Sequence, residues 1–447
     1  MRLIVTPGHP LRGEIGAGFP GDKSISHRAA LFAALAHGES CIENFLISGV
    51  TQAMLDALTA LGVPWRLEKD TLYVQGSGIA GLQPPKEPIN CGSSGTTMRL
   101  LAGALAAAGI PAVLSGTPGL CRRPMRRIVA PLQLMGVPIE ASTSGTAPLR
   151  LASRKPGEKL SPIDYDLPVA SAQVKTCILL AALGADGTTI IREPGPSRDH
   201  TERMLARMGV GLASQKLSSP NGHYETQISL GDTTRLSPLR MTIPGDFSSA
   251  AFLIVAALVT PGSELILKSI GLNPTRTGLL DALKGMGADI QVNHHSGYDS
   301  EPVGDIRVKA SSLQGIQVGG PLVVRMIDEF PVFAVASAFA CGDTLVRDAV
   351  ELRYKESDRI TILVQELRSL GVGIEEASDG FVIKAGQIPL GGVVQSHADH
   401  RLGMALAVVG LAAGSPVTVE GAEIISESFP DFTRMLGHLG ASLRIES

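Results

Sequence analysis

Several features that would direct a functional reading are missing from this chain. Its five cysteines (Cys41, Cys91, Cys121, Cys177 and Cys341) form no CxxC pair or other metal-like spacing, and an odd number scattered through apolar and Gly-rich stretches does not suit a disulfide framework. A reducing, cytoplasmic setting is expected. Charge of one sign is also lacking. Lys plus Arg number 39 against 42 Asp plus Glu, with no long run of either, so a phosphate-tracking surface and a nucleic-acid partner are not expected. Long apolar runs are absent too. The Leu100 to Leu114 stretch is broken by Gly109-Ile110-Pro111 and falls short of the ~18 apolar residues a membrane span needs. The opening MRLIVTPGHPL has no cationic leader with an apolar core and cleavage site, so no secretory signal is expected and the mature chain should start near Met1.

What the chain does have is repetition. With 447 residues, 44% of them hydrophobic, it can bury large cores and should form two or three domains. Six segments share one plan: ISHRAALFAALAHGESCIENF, TTMRLLAGALAAAGIPAVLSG, AQVKTCILLAALGADGTTIIRE, SSAAFLIVAALVTPGSELILKS, FPVFAVASAFACGDTLVRDA and HRLGMALAVVGLAAGSPVTVEG. Each reads as an apolar helix, a Gly-containing turn and a strand. A second, more amphipathic helix then ends in Gly, as in QAMLDALTALGV and TERMLARMGV, which suits a left-handed helix cap. Alternating segments such as WRLEKDTLYVQG follow and read as half-buried strands. The unit is βαβαββ-like. Its first helix is apolar nearly all round and belongs inside a domain.

Pro-Gly-Asp occurs at Pro20-Gly21-Asp22 and Pro244-Gly245-Asp246, each just before an apolar helix. The expected organisation is therefore two α/β domains of three repeats each, 21–243 and 1–20 plus 244–447, hinged near those tripeptides. The first twenty residues should add an extended strand to the second domain. A continuous solenoid is the alternative, but solenoid periods are usually shorter, roughly 20 to 50 residues.

Polar residues collect where each apolar helix begins: Lys23, Ser24 and Arg28; Ser93, Ser94, Thr96 and Thr97; Ser171, Gln173 and Lys175; Asp246, Ser248 and Ser249; Asp328 and Glu329; Asp399, His400 and Arg401. Helix starts carry unpaired N–H groups and about half a positive charge, so several converging ones make an anion site. A single Ser or Asp there is explained by capping, worth about 1 kcal/mol. Cations are not, because Lys23, Arg28 and Arg401 oppose the macrodipole by ~0.3–1 kcal/mol each. They make sense with an anion between them and the helix.

Two further stretches carry chemistry. CGSSGTTMRLL places small hydroxyls and glycines where backbone must approach a ligand, without the order of a nucleotide P-loop. GLCRRPMRR concentrates Arg122, Arg123, Arg126 and Arg127, of which Arg123, fixed before Pro124, is the best inward candidate. In LRYKESDRITILVQEL, a helix would put Lys355 and Arg359 on one face with Glu356 about 100° round. A surface ion-pair ladder would use the same spacing. With Asp328 from IDEFPVFAVA, however, the stretch supplies two carboxylates among cations, the equipment for acid–base work on an anionic substrate.

In order along the chain, PGDKSISHR, NCGSSGTTMRLL, RRPM, ASAQVK, RDHTE, NPTR, IDEFP, KESDR, DHR and SFPDF closely resemble the EPSP synthase family, and GDK, SAQVK, RDHTE and NPTR resemble its class II, glyphosate-tolerant branch. The resemblance implies a two-domain inverse αβ barrel with its active site in the interdomain cleft. It implies transfer of the enolpyruvyl group of phosphoenolpyruvate to the 5-hydroxyl of shikimate 3-phosphate by a monomer with no metal or cofactor. Shikimate 3-phosphate would be held by Lys23, Ser24, Arg28, Ser171, Ala172, Gln173, Arg198, Asp328 and Lys355. Phosphoenolpyruvate would meet Lys23, Gly95, Arg123, Gln173, Arg359 and Arg401. Glu356 would be the acid and Asp328 the base, with Lys23 beside them.

Departures are informative. Glu427 in SESFPDF stands where many members have Lys, Ala172 follows the class II pattern, and Gly95 is retained where tolerant members can carry Ala, so glyphosate inhibition is expected. The sister reaction, enolpyruvyl transfer to UDP-N-acetylglucosamine, is the nearest rival. That family uses a loop cysteine, for which Cys121 is positioned, and a Lys-Asn pair where this chain has Lys23-Ser24. A non-catalytic binding module or an RNA-end-processing relative would leave KESDR, IDEFP and DHR without a joint purpose.

Overall fold

A computed structural model describes residues 1–16, 18–155, 157–218, 224–231, 235–296, 301–386 and 388–446. Contacts divide the chain into two compact units, Met1–Pro20 with Pro244–Ser447, and Gly21–Ile243. Among the described residues the strands form six four-stranded sheets, three in each unit. The second repeat shows the plan. Ile89–Asn90 lies parallel to Ala112–Ser115, and the Gly95–Ala108 helix makes the crossover between them. The outer helix Arg126–Leu134 follows, then Ile139–Glu140 and Leu149–Leu151 pair as a hairpin whose second strand docks antiparallel on Ala112–Ser115. This is the βαβαββ unit that the sequence pattern predicts.

Three repeats borrow a strand from elsewhere in the chain. The parallel partner of His37–Glu43 is Arg240–Thr242, from the far end of the same unit. In the other unit Arg12–Ile15 pairs parallel with Glu264–Gly271, while Arg2–Thr6 lies antiparallel between Val417–Glu420 and Ser442–Glu446. The single extended N-terminal strand expected from sequence is thus two strands in two sheets. Pro7 and Pro10 lack the N–H a ladder needs, and Gly8, at φ +91°, turns the chain between them.

The crossover helices are buried on nearly every side: Lys23–Leu35, Gly95–Ala108 and Ala172–Ala182 in one unit, Phe247–Val259, Phe330–Ala338 and His400–Gly410 in the other. Their all-round apolarity is what lets sheets and outer helices cover them. Small residues permit close contact. A Cβ on Gly103 would lie 2.3 Å from the Cys177 carbonyl oxygen, so the second and third helices of that unit touch backbone to backbone. The glycines past the six outer helices (Gly62, Gly136, Gly209, Gly287, Gly371 and Gly440) all lie in the left-handed region, with φ from +76° to +108°. They are the caps the sequence predicts.

Candidate active site

In the Gly21–Ile243 unit, polar side chains gather at the N-terminal ends of the three buried helices. Asp22 caps the first, accepting from the Ile25 amide at 2.9 Å. Arg28, only 2% exposed, donates to the Ser24 carbonyl at 3.0 Å, to Thr201 Oγ1 at 2.8 Å and to Thr176 Oγ1 at 3.0 Å. Arg198 donates to Ser24 Oγ at 3.1 Å. Thr176 in turn donates to the carbonyl of Ala172, which with Ser171 and Gln173 forms the start of the third helix. Ser24, Arg28, Arg198 and this helix start are therefore one connected group.

The second helix begins with a tighter arrangement. A Cβ on Gly95 would stand 2.9 Å from Arg123 Nη1 and 3.0 Å from Arg99 Nη1, so two guanidinium groups approach where the glycine has no side chain. Arg99 also donates to Gln173 Oε1, and Gln173 Nε2 donates to Thr96 Oγ1 at 2.8 Å. Behind this face, Lys175 Nζ lies 2.9 Å from Glu193 and 2.7 Å from Glu202. Burial alone would lower the Lys175 pKa, but the Glu202 and Glu193 carboxylates hold it above the ordinary value.

Two residues of the KSISHR stretch serve the fold. Ser26 Oγ accepts from the Leu46 amide at 3.2 Å. His27 Nδ1 lies 2.7 Å from the Lys23 carbonyl, and Nε2 lies 3.1 Å from both Ser94 Oγ and the Val50 carbonyl. Burial lowers the His27 pKa to about 4, with the Lys23 and Arg28 charges acting in the same direction, so its ring is neutral at pH 7. Lys23 itself is half-buried at the first position of the helix.

In the Met1–Pro20 and Pro244–Ser447 unit the corresponding ends are knit by ions. Asp328 lies 3.4 Å from Lys355 Nζ, 3.6 Å from Arg359 Nη1 and 3.7 Å from Arg401 Nη2. Arg359, 2% exposed, donates through Nε to Asp399 at 2.8 Å and through Nη2 to Glu356 at 2.6 Å. Asp399 caps the last buried helix, accepting from the Arg401 and Leu402 amides, and also takes the Ser357 hydroxyl at 3.0 Å. Its burial would raise its pKa, yet the Arg359 charge outweighs that and holds it below the usual range. Arg401 Nη1 lies 3.8 Å from Glu329, which accepts the Ser248 hydroxyl; Arg276 donates to Ser248 at 2.8 Å and to Asp246 at 2.6 Å. One polar chain thus runs across the starts of all three buried helices of this unit.

Lys355 and Arg359 do not share a helix face. The Val350–Tyr354 turn stops before Lys355, which is extended, and a separate helix begins at Arg359. The break has a local cause: Asp358 caps the new helix by accepting from the Thr361 amide at 3.1 Å, while Ser357 is drawn to Asp399. The two cations still converge, both meeting Asp328 Oδ1.

Within each unit, most residues singled out from sequence fall at these helix starts and in the adjoining turns; of the GLCRRPMRR arginines, Arg123 comes beside Gly95, whereas Arg122 and Arg126 are exposed and Arg126 donates to the Thr143 carbonyl. Sequence reasoning passed over Arg99, four residues after Gly95 on the same helix, although that spacing was legible. The sequence marks Asp399 as a helix-start residue without showing that Arg359 reaches it, and nothing local indicates that Arg276 of NPTR reaches Asp246.

The EPSP synthase (3-phosphoshikimate 1-carboxyvinyltransferase) family model matches residues 5–436. The chain is 47% identical over 434 residues to the 3-phosphoshikimate 1-carboxyvinyltransferase of Salinibacter ruber, covering 97% of this chain and 98% of that protein. It is 45% identical over 440 residues to the one from Coxiella burnetii, covering 98% and 97%. Among solved structures, EPSP synthase from Acinetobacter baumannii superposes with a TM-score of 0.84 at 39% identity, each chain fully covered. With matches of this length on a fold with these helix-end clusters, the chain belongs to the EPSP synthase family, the 3-phosphoshikimate 1-carboxyvinyltransferases.

Proposed function

We propose that the two clusters act on one pair of substrates, transferring the enolpyruvyl group of phosphoenolpyruvate to the 5-hydroxyl of shikimate 3-phosphate with release of phosphate. The observation that carries the assignment of roles is Asp328, a carboxylate among Lys355, Arg359 and Arg401, with Glu356 on the same Arg359. Glu356 protonates the methylene of phosphoenolpyruvate, making the adjacent carbon electrophilic. Asp328 takes the proton of the attacking hydroxyl. The product keeps its double bond, so the added proton must leave again as phosphate departs. Both substrates carry a phosphate and a carboxylate, and that demands cations. Shikimate 3-phosphate is assigned Lys23, Ser24, Arg28, Ser171, Ala172, Gln173, Arg198, Asp328 and Lys355; phosphoenolpyruvate is assigned Lys23, Gly95, Arg123, Gln173, Arg359 and Arg401.

The finer reading is of a cytoplasmic monomer of the class II branch that glyphosate inhibits because Gly95 leaves room beside Arg123. Phosphate release from the purified chain given both substrates tests the reaction. The expected result is turnover with shikimate 3-phosphate and none with UDP-N-acetylglucosamine as acceptor; the reverse overturns the assignment.

A further inference from the structure

The turn before the last buried helix holds two consecutive non-glycine residues in the left-handed region, His397 at φ +51° and Ala398 at φ +56°. Side chains with a Cβ avoid this conformation, and it persists only where the surroundings over-determine it. Here two contacts of the constraint come from one helix, Arg359–Ser369. Buried Glu366 accepts the Gln395 amide at 3.0 Å and, through its other oxygen, the Nε2–H of His397 at 2.7 Å. Seven residues earlier on that helix, Arg359 takes Asp399 through both carboxylate oxygens, at 2.8 and 3.2 Å. The helix therefore grips the turn on both sides of Ala398. On the opposite flank, the Ser396 amide and hydroxyl are tied to the Glu420 and Gly421 carbonyls.

We propose that the His397–Glu366 contact is a latch that sets the direction of the Asp399 carboxylate and, through it, the placement of Arg359 and Arg401 for phosphoenolpyruvate. His397 and Glu366 are positioning residues and touch no substrate. The inference rests on the assignment of Arg359 and Arg401 to phosphoenolpyruvate made above. Without the latch, the left-handed pair relaxes toward ordinary backbone. Asp399 still meets Arg359, but it no longer holds that side chain and the following helix start in one orientation.

Steady-state kinetics of the full chain with Glu366→Gln, His397→Leu and His397→Gln test the proposal. Loss of a charge-assisted contact should raise the KM for phosphoenolpyruvate about tenfold in Glu366→Gln and His397→Leu, with a smaller fall in kcat because Arg359 also holds Glu356. Calorimetric binding of shikimate 3-phosphate alone should stay at the wild-type value. His397→Gln, whose amide N–H can stand in for Nε2–H, should recover most of the lost affinity. A lowered melting temperature with an unchanged KM in Glu366→Gln would overturn the latch; that variant keeps the side-chain shape, so it gives the reading even if His397→Leu fails to fold. Arg359→Lys, measured alongside, separates the two layers. If it leaves the phosphoenolpyruvate KM unchanged, the underlying assignment fails; if it raises KM while the latch variants do not, the latch alone fails.

Discussion

The helix starts of the two units set different groups beside their arginines. In Gly21–Ile243, Arg28 rests on two threonine hydroxyls and a carbonyl, and Arg99 on a glutamine amide oxygen and a carbonyl. In the other unit Arg359 is held by Asp399, Glu356 and Asp328, Arg401 by Asp328 and Glu329, and Arg276 by Asp246. A neutral oxygen orients a guanidinium without cancelling its charge, whereas a carboxylate does both and adds a group that can exchange protons. The first arrangement suits gripping a phosphate. The second suits moving protons beside one.

The sharpest way to break this contrast is to neutralise the carboxylates. Glu356→Gln and Asp328→Asn should each lower kcat by about 10²–10⁴-fold, with shikimate 3-phosphate binding, read by calorimetry, changing far less. Retention of a tenth of the wild-type rate in both would remove the acid–base side of the comparison. On the neutral side, Thr176→Val combined with Thr201→Val frees Arg28 from its hydroxyls. The shikimate 3-phosphate KM should rise about tenfold while saturated turnover stays near wild type. A fall in kcat instead would mean that these hydroxyls do more than orient.

Gly95→Ala places a methyl against the ends of two arginines, which must shift by a few tenths of an ångström. Inhibition assays should show the glyphosate constant rising about tenfold and the phosphoenolpyruvate KM about threefold; equal inhibition of the two forms would refute this.

His27 supplies a pH signature. Its folded pKa, about 4, lies below the ordinary 6.5, so the stability due to its neutral burial is intact above pH 6.5 and is lost as pH falls from 6.5 toward 4. Between pH 7 and 5.5 the loss should be about 1 kcal/mol, and urea unfolding of His27→Gln should show that part of the slope missing. The smallest effect belongs to Cys121→Ser. The thiol sits against Ser115 Oγ and the Gly116 carbonyl, so a hydroxyl should fit and turnover should change less than twofold. A large loss would point to the cysteine-using sister reaction.

Much of this was legible in sequence because it is local. The six apolar helices, the glycines after the outer helices and the polar residues ahead of each core helix are set by neighbours within a few positions, and the structure has them. The Lys355–Arg359 pairing was misread because four-residue spacing implies a helix only if nothing starts a new one between; Asp358 is a strong cap and does so. Contacts between repeats were not visible. Arg28 reaching Thr201, Gln173 reaching Thr96 and Glu366 reaching His397 join segments that only the fold brings together, and single residues carry no periodicity to mark them.

The borrowed strands set an order of events during synthesis. The Gly21–Ile243 unit has all its strands once Arg240–Thr242 has left the ribosome. Arg2–Thr6, made far earlier, must wait for Val417–Glu420 and Ser442–Glu446 before its Leu3 and Val5 are covered. At roughly 5–20 residues per second that interval is on the order of half a minute. For that time Leu3 and Val5 lack the strands that cover them in the finished unit.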